Sequence, residues 1–488
     1  MSNKVQIGLG LMAWATGASK QLMNVLHHAS LSMSYPSIMS IINALANDSL
    51  QQAQRLTDGP HGLGYDNVNT SMSQYIEQGP DMKSKVQSGV YMLVYHLLQA
   101  NPAHMKIKDT MDRLTKSSNL TISDLRPSIK SISSYSTQST VNICQILLKY
   151  VKGFEFMQKD KLLQHMPIRM IPEGHKTRFH ALRASTIEEA SVEGNLLVHD
   201  DIYINQLKKD PANLNKFAIP CMNDQLTNAR IRGAQDIRRQ DVSYWERRDI
   251  LQLAFGAFHL VMNLIWALVN THRGTINQSG SLTHLFAILE KTRLAGEKPD
   301  YHTLLASLTQ VLEGLILNAW RMECGHNSLD DFAHSKPSAQ DLLSIAQDIM
   351  MKYATPKCNG QLNGYDPDVS LRDIPTDPSD NDPQDGDSDT EMASEEGPGT
   401  PDSGSVESDS ADTEDAPDTI HENVVLLTRD LLYVIELVNA ISTGDFGRVE
   451  DILPTLACLF RGAGSNNYST EILHLLFNLK EVWTPEFA

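Results

Sequence analysis

The chain is predicted to be mainly α with a small mixed β-sheet (α+β), and three observations carry that prediction. Apolar residues recur at i, i+3 and i+4 over most of the 488 residues. Short β-compatible runs stand in few places, at residues 63–68, 90–96 and 217–222. Two islands close such runs with an aspartate beside an asparagine: Tyr65-Asp66-Asn67-Val68-Asn69 and Asn223-Asp224-Gln225-Leu226-Thr227.

Taken in chain order, residues 18–29 and 36–47 show helical spacing, and Ser34 with Pro36 supplies a start for the second. A helix pair invites a helix-turn-helix reading. The second helix holds no Lys or Arg, however, and phosphate contacts dominate DNA affinity, so core packing is expected. From His61 the pattern changes to strand, with Gly62 and Gly64 signalling a turn and Gly79-Pro80 interrupting the run. Residues 100–150 return to helix, with the polar stretch 131–140 read as a loop. Residues 168–180, which follow Pro167 and contain Pro172 and Gly174, are irregular. Residues 217–222, after which Asp224 follows, are the next strand.

Beyond Asp224 the spacing is helical at residues 225–270, 281–293, 302–323 and 338–353. The stretch 251–270 is long and apolar enough to raise the question of a membrane span. It carries Gln252, His259 and Asn263, so a buried core helix is expected instead. Residues 360–422 are rich in Asp, Ser, Pro, Gly and Thr; they cannot bury enough surface to offset their ordering entropy and should be disordered. Residues 423–482 are helical again, broken at Gly462 and Gly464 before a final helix at 469–481. The organisation is thus an N-terminal helical segment (1–60), a main domain (61–359), an acidic linker (360–422) and a C-terminal part of the same domain (423–488). Met1 leads straight into domain-like sequence and the chain stops at Val482-Trp483-Thr484-Pro485-Glu486-Phe487-Ala488, so a truncated or degenerate copy is expected.

The formal net charge of -18 argues at first against a nucleic-acid partner. Its location changes that inference. Of the 59 acidic residues, 18 lie between Asp373 and Glu422, where no Lys or Arg occurs; the remaining 41 are matched by 41 Lys and Arg. Five scattered cysteines without a CxxC pair point to reduced thiols in an intracellular protein. Cys324 with His326 lacks partners at zinc-site spacing. No signal peptide is evident at the N-terminus.

Carboxylates at two strand ends are the beginning of a two-metal site, in which a pair of Mg²⁺ or Mn²⁺ ions stabilises the attacking and leaving oxygens of a phosphodiester. Asp66 and Asp224 would be two ligands. Glu471 is the expected third, because Glu471, His474 and Asn478 share one stripe of an otherwise apolar helix. Glu323 is the fallback, and Asp81 and Asp200 are further acids. The competing account is structural: Asp and Asn favour turns and helix caps, Asn223 or Asp224 is placed to cap a helix from Leu226, and a polar stripe is commonly a solvated face. Downstream, Arg230, Arg232, Arg238 and Arg239 suit bidentate phosphate contacts along DNA, with Arg247 and Arg248 beyond. Asp236, Asp241, Glu246 and Asp249 interleave with them, as in a helix laced with ion pairs. Gly8-Leu9-Gly10 lacks a third glycine, and neither a phosphate loop nor a nucleophile elbow occurs.

The runs YDNVNTSMSQYIEQGPDMKSKVQSG, STIEEASVEGNL, NDQLTNARIRGAQ, FGAFHLVMNLIWALVNTHRGTINQSGSL, KPDYHTLL and LFRGAGSNNYSTEILHLLFNLKEVWTPEF resemble a numbered domain-of-unknown-function family expanded in mushroom-forming fungi. The resemblance spans nearly the whole chain outside the acidic tract and brings no activity. It implies mobile-element descent. A ribonuclease-H-like transposase core would set Asp66 and Asp224 at strand ends, Glu471 as third acid, and the helical block 250–440 as an insertion before it. The leading expectation is therefore a transposase-derived, metal-dependent nuclease-like domain, active or decayed, with nuclear localisation. A non-catalytic helical protein that binds other macromolecules is the alternative, and a charged interaction tail in the acidic tract is a third.

Overall fold

Five strands make one mixed sheet: β1 (His61–Ser71), β2 (Val86–His96), β3 (Phe179–Ala181), β4 (Ile219–Asn223) and β5 (Leu251–Phe255), in the order β3-β2-β1-β4-β5. Strand β2 is antiparallel to both β1 and β3, while β1, β4 and β5 run parallel, so β2 alone runs against the rest. The structure is a computed structural model and describes residues 3–71, 86–294, 296, 298–356 and 419–488. Asp81, Cys358 and all but the last four residues of the acidic tract lie outside the described residues.

Side chains alternate across the sheet, as the pleat requires. Leu63 and Tyr65 of β1, Val90, Met92 and Val94 of β2, and Cys221 of β4 point into one core with Val198, Tyr203, Ile231 and Trp245. Around and beyond the sheet run α1 (Lys4–Ala15), α2 (Lys20–His28), α3 (Tyr35–Leu56), α4 (Ile129–Tyr150), α5 (Val192–Asp200), α6 (Gln225–Ile237) and α7 (Ala257–His272). They are followed by α8 (Tyr301–Glu323), α9 (Ala339–Tyr353), α10 (Thr419–Ser442), α11 (Phe446–Gly462) and α12 (Asn466–Phe477). Helices α4 and α7–α12 share a second, larger core built on residues such as Leu264, Leu312, Trp320, Leu437 and Phe460. Phe487 packs against both cores, and the Trp483 indole donates to Gln252 of β5 (2.6 Å).

The expected class holds: the chain is mainly helical with one small mixed sheet. Three local expectations are corrected. The polar stretch 131–140 lies inside α4, because its hydroxyls bond the preceding turn (Thr137 to Ser133 carbonyl, Thr140 to Ser136 carbonyl) and Gln138 donates to the Met166 carbonyl. The span 225–270 is not all helix, since β5 interrupts it. Leu251, Gln252, Leu253 and Phe255 are all buried, and a strand covered on both faces shows no alternation that distinguishes it from a buried helix. Helix α10 begins at Thr419, so the last four residues assigned to the linker are its first turn. Among the described residues no helix is long and apolar enough to cross a membrane.

Candidate carboxylate site

The parallel pairing of β1 with β4 sets the site. Leu63 stands opposite Cys221 and Gly64 opposite Met222. Asp66 and Asp224 each lie two residues beyond the Gly64–Met222 pair, Asp66 still within β1 and Asp224 past the end of β4. Strand β1 runs on past this point while β4 stops at Asn223, so Asp66 lies beside the opening of the β4–α6 turn. The Asn223 carbonyl accepts from the Gly256 N–H (2.8 Å), tying the start of α7 to the end of β4. One turn into α7, His259 Nε2 comes 3.5 Å from Asp66 Oδ2. The hydrogen bond to Asp66 raises the His259 pKa above its ordinary value, and the charges of Asp66 and Asp224 add to the effect.

Asp224 is the N-cap of α6: its backbone is extended and its Oδ1 accepts from the Thr227 N–H (2.6 Å). The cap reading and the site reading of this aspartate are therefore compatible. Thr227 also donates through its hydroxyl to Glu189 Oε1 (3.1 Å), so one threonine holds both carboxylates. Glu189 is almost fully buried, and its Oε2 has no hydrogen-bond partner. Its main-chain carbonyl accepts from Asn195 (2.7 Å) and Arg230 (3.2 Å). Burial pushes its pKa up to about 7, and the charges of Asp224 and Asp66 push the same way. Asn195 has a second duty: its Oδ1 accepts from the Tyr65 hydroxyl (2.7 Å), which lies 2.9 Å from His199 Nε2 as well. That network pins the strand carrying Asp66 to α5, whose N-terminus follows Glu189.

Sequence reasoning named Asp66 and Asp224, whose charges both act on Glu189 and His259; it missed Glu189. The only signal was an acid just ahead of the helix cap Ser191, which is where any helix tolerates negative charge. Glu471 lies elsewhere on the same frame. Both of its oxygens meet Arg232 (3.1 and 2.5 Å), and Oε1 also accepts from Asn228 (2.8 Å), one turn along α6 from Asp224. Asn228 in turn accepts from Asn223 (3.0 Å) and donates to the Ala254 carbonyl (3.1 Å). Glu471 thus clamps α12 to α6 and β5.

The four arginines expected to face DNA all have partners within the chain. Arg230 meets the Glu189 carbonyl, Arg232 meets Glu471, Arg238 meets Asp241 (2.7 Å) and Arg239 meets Asp236 (3.8 Å). The fallback acids are likewise engaged, Glu323 with Lys352 and Tyr353, and Asp200 with Arg248. Cys324 and His326 bond main-chain carbonyls at the end of α8.

Among the described residues, no three His, Cys, Asp or Glu side chains are drawn close enough to hold a metal ion as they stand. Asp66, Asp224 and Glu189 offer the oxygen donors a hard divalent cation takes, without being gathered into one ligand set.

A model described as "Family of unknown function (DUF6589)" matches residues 115–488. Glu189, Asp224, His259 and Glu471 lie within the match, whereas β1 with Asp66 and β2 precede it. No curated protein and no solved structure matches the chain.

Proposed function

We propose, for a chain that belongs to the DUF6589 family of unknown function, a metal-dependent nuclease-like domain of the transposase type, acting on phosphodiesters of DNA. The observation that carries this reading is that the charges of Asp66, on β1, and Asp224, at the start of α6, both act on the buried carboxylate of Glu189 and on His259. Two further features support it. The sheet order, with β2 alone reversed, is the arrangement a ribonuclease-H-like core would have. After β5 the chain passes through the large helical block before α12 returns to pack on β5, as an inserted core of that kind requires.

In this reading Asp66 and Asp224 would hold Mg²⁺ or Mn²⁺, and Glu189 would replace Glu471 as the third acid. The ions would supply charge stabilisation to the attacking and leaving oxygens. Thr227 orients two of the three carboxylates, and Asn195 fixes the backbone of Glu189 and the strand beneath Asp66. His259 Nε2 lies 3.5 Å from Asp66 Oδ2, a contact that favours the protonated imidazole. A nuclear, intracellular setting goes with this function.

The test is cleavage of DNA by the purified full chain with Mg²⁺ or Mn²⁺, against Asp224→Asn. Asparagine remains a good N-cap while removing the charge, so loss of cleavage with an unchanged melting temperature supports the site. Equal cleavage by both proteins removes Asp224 from it. The alternative, a non-catalytic helical protein that binds other macromolecules, draws on the ion pairs that occupy Arg232, Arg238 and Arg239. It gains if neither metal supports cleavage.

A further inference from the structure

Helix α1 carries apolar residues on its outer side. Val5, Gly8, Leu9 and Met12 recur at i, i+3, i+4 and i+7, and so lie on one face of the helix. The opposite side is held against the fold. Gly10 is buried where a Cβ would collide with Ile38 of α3 and with Ser32, and Gln6 donates to the Ser30 carbonyl (2.9 Å). The stripe therefore points outward, with Val5 71% and Met12 65% exposed and Leu9 exposed as well. Beside it α2 exposes Leu22 and Val25, and Leu31 is exposed in the connection to α3. Between the two helices opens an apolar groove of about 280 Å³, lined by Leu9, Met12, Ala13, Thr16, Leu26 and Leu31.

The solvent face of a surface helix is ordinarily polar and charged. Here residues 1–47 contain no Asp or Glu, and their Lys and Arg are Lys4 and Lys20 alone. Gly8 is a second sign. Glycine in mid-helix weakens the helix, yet a Cβ at this position would meet no atom within 4 Å, so packing inside one copy does not require it. It leaves room for close approach from outside. A lipid surface favours a helix with one apolar and one cationic face, whereas α1 has a single lysine and its far side is occupied by Ile38 and Ser32. A strongly charged partner would find no opposite charge on the stripe. A second copy brings an equally uncharged stripe and groove. The exposed patch amounts to about 600 Å² per copy, the upper end of what a monomer leaves uncovered, and about 1,200 Å² for a pair, the lower bound of a specific interface.

We propose that this face of α1 and α2 joins two copies of the chain about a twofold axis, the stripe of each α1 lying along the α1–α2 groove of the other and the two helices approaching closely at Gly8. The pairing is independent of the carboxylates and of any cation they take.

The experiment is analytical ultracentrifugation of the purified full chain across a concentration series, with Met12→Glu, Gly8→Gln and, as a control, Val242→Glu at an exposed position after α6. Circular dichroism of each protein reports helix content. The full chain should sediment at twice the mass of one copy. Met12→Glu, which places a charge on the stripe, should raise the dissociation constant about 10- to 100-fold. Gly8→Gln should weaken the pair as well while keeping or raising helix content, because glutamine favours the helix more than glycine does. A variant that loosened the pair by unfolding α1 would lose helix instead. Val242→Glu should dimerise like the parent. A full chain that stays monomeric at every concentration, or a dimer that both α1 variants leave intact, overturns the proposal. So does a monomer that floats with phosphatidylcholine–phosphatidylserine vesicles and loses them on Met12→Glu, which assigns the face to lipid.

Discussion

Replacing Glu189 with glutamine should make the protein more stable while disabling it. The carboxylate is buried, one oxygen is orphaned, and two aspartates add repulsion. Its pKa in the folded chain is pushed up to about 7, against an ordinary value of 4.5. A group whose folded pKa is raised holds its proton more tightly in the native state. Its stabilising contribution is complete below about pH 4.5 and is lost as pH rises through about 7. The gap corresponds to about 3 kcal/mol that the ionised carboxylate costs the native state above neutrality. Glutamine keeps an oxygen for the Thr227 hydroxyl and offers an amide donor where the orphaned oxygen stands, facing the charges of Asp66 and Asp224. Glu189→Gln should therefore raise stability by about 1–3 kcal/mol at about pH 8 and change it little at about pH 5. Urea unfolding of both proteins at the two pH values, followed by circular dichroism, measures this directly. A lower midpoint for the variant at the higher pH, or the same shift at both, would refute the reasoning. Such a gain on removing an acid is the mark of a group kept for function at the expense of stability.

Other outcomes follow from the same geometry. Asp224→Ala removes the α6 cap and should cost about 0.5–2 kcal/mol, while Asp224→Asn should cost a few tenths at most; thermal melts of the two separate capping from charge. Glu471→Ala strands Arg232 and Asn228 in a partly buried clamp and should destabilise by about 2–4 kcal/mol, read as a fall in the urea midpoint. Burial lowers the pKa of His61 and His165 to about 4 and that of His199 to about 3, against an ordinary value of 6.5. Their depressed values give stability that is full above about pH 6.5 and lost as pH falls toward 4 and below. An unfolding midpoint that stays flat between those limits would contradict this.

Much of the fold was legible because its signals are local. Helix starts are written in Ser34, Asp224, Ser338 and similar caps, and long apolar stripes mark α7, α8 and α9. The Asp224 island was legible because a short apolar run ending in Asp is where a β4–α6 turn shows itself, whereas Asp66, expected at a strand end after a turn at Gly62 and Gly64, stands with both glycines inside β1. What stayed hidden depends on distance. Strand β5 is recognisable only by its neighbour β4, because burial on both faces erases its alternation. Glu189 becomes part of the site only when α5 and β1 meet through Asn195 and Tyr65, some 130 residues apart in sequence. Glu471 carried the right residue type on the right helix, yet Arg232, 239 residues earlier, claims it. No pattern within a helix announces such a partner.

The late return of α12 to the sheet has a consequence for how the chain is made. Gln252 of β5 meets Trp483 only after a further 231 residues have been synthesised. At about 5–20 residues per second that is roughly 12–46 s during which the β5 edge and the face awaiting α12 are complete but uncovered. The larger core waits as well, since Asn142 of α4 meets Glu436 and Asn439 of α10 only 294 and 297 residues later. The sheet domain must therefore wait on the ribosome for its closing helix. Its yield in cells should be limited by holdase chaperones and by translation speed across residues 257–465, more than by the equilibrium stability of either core.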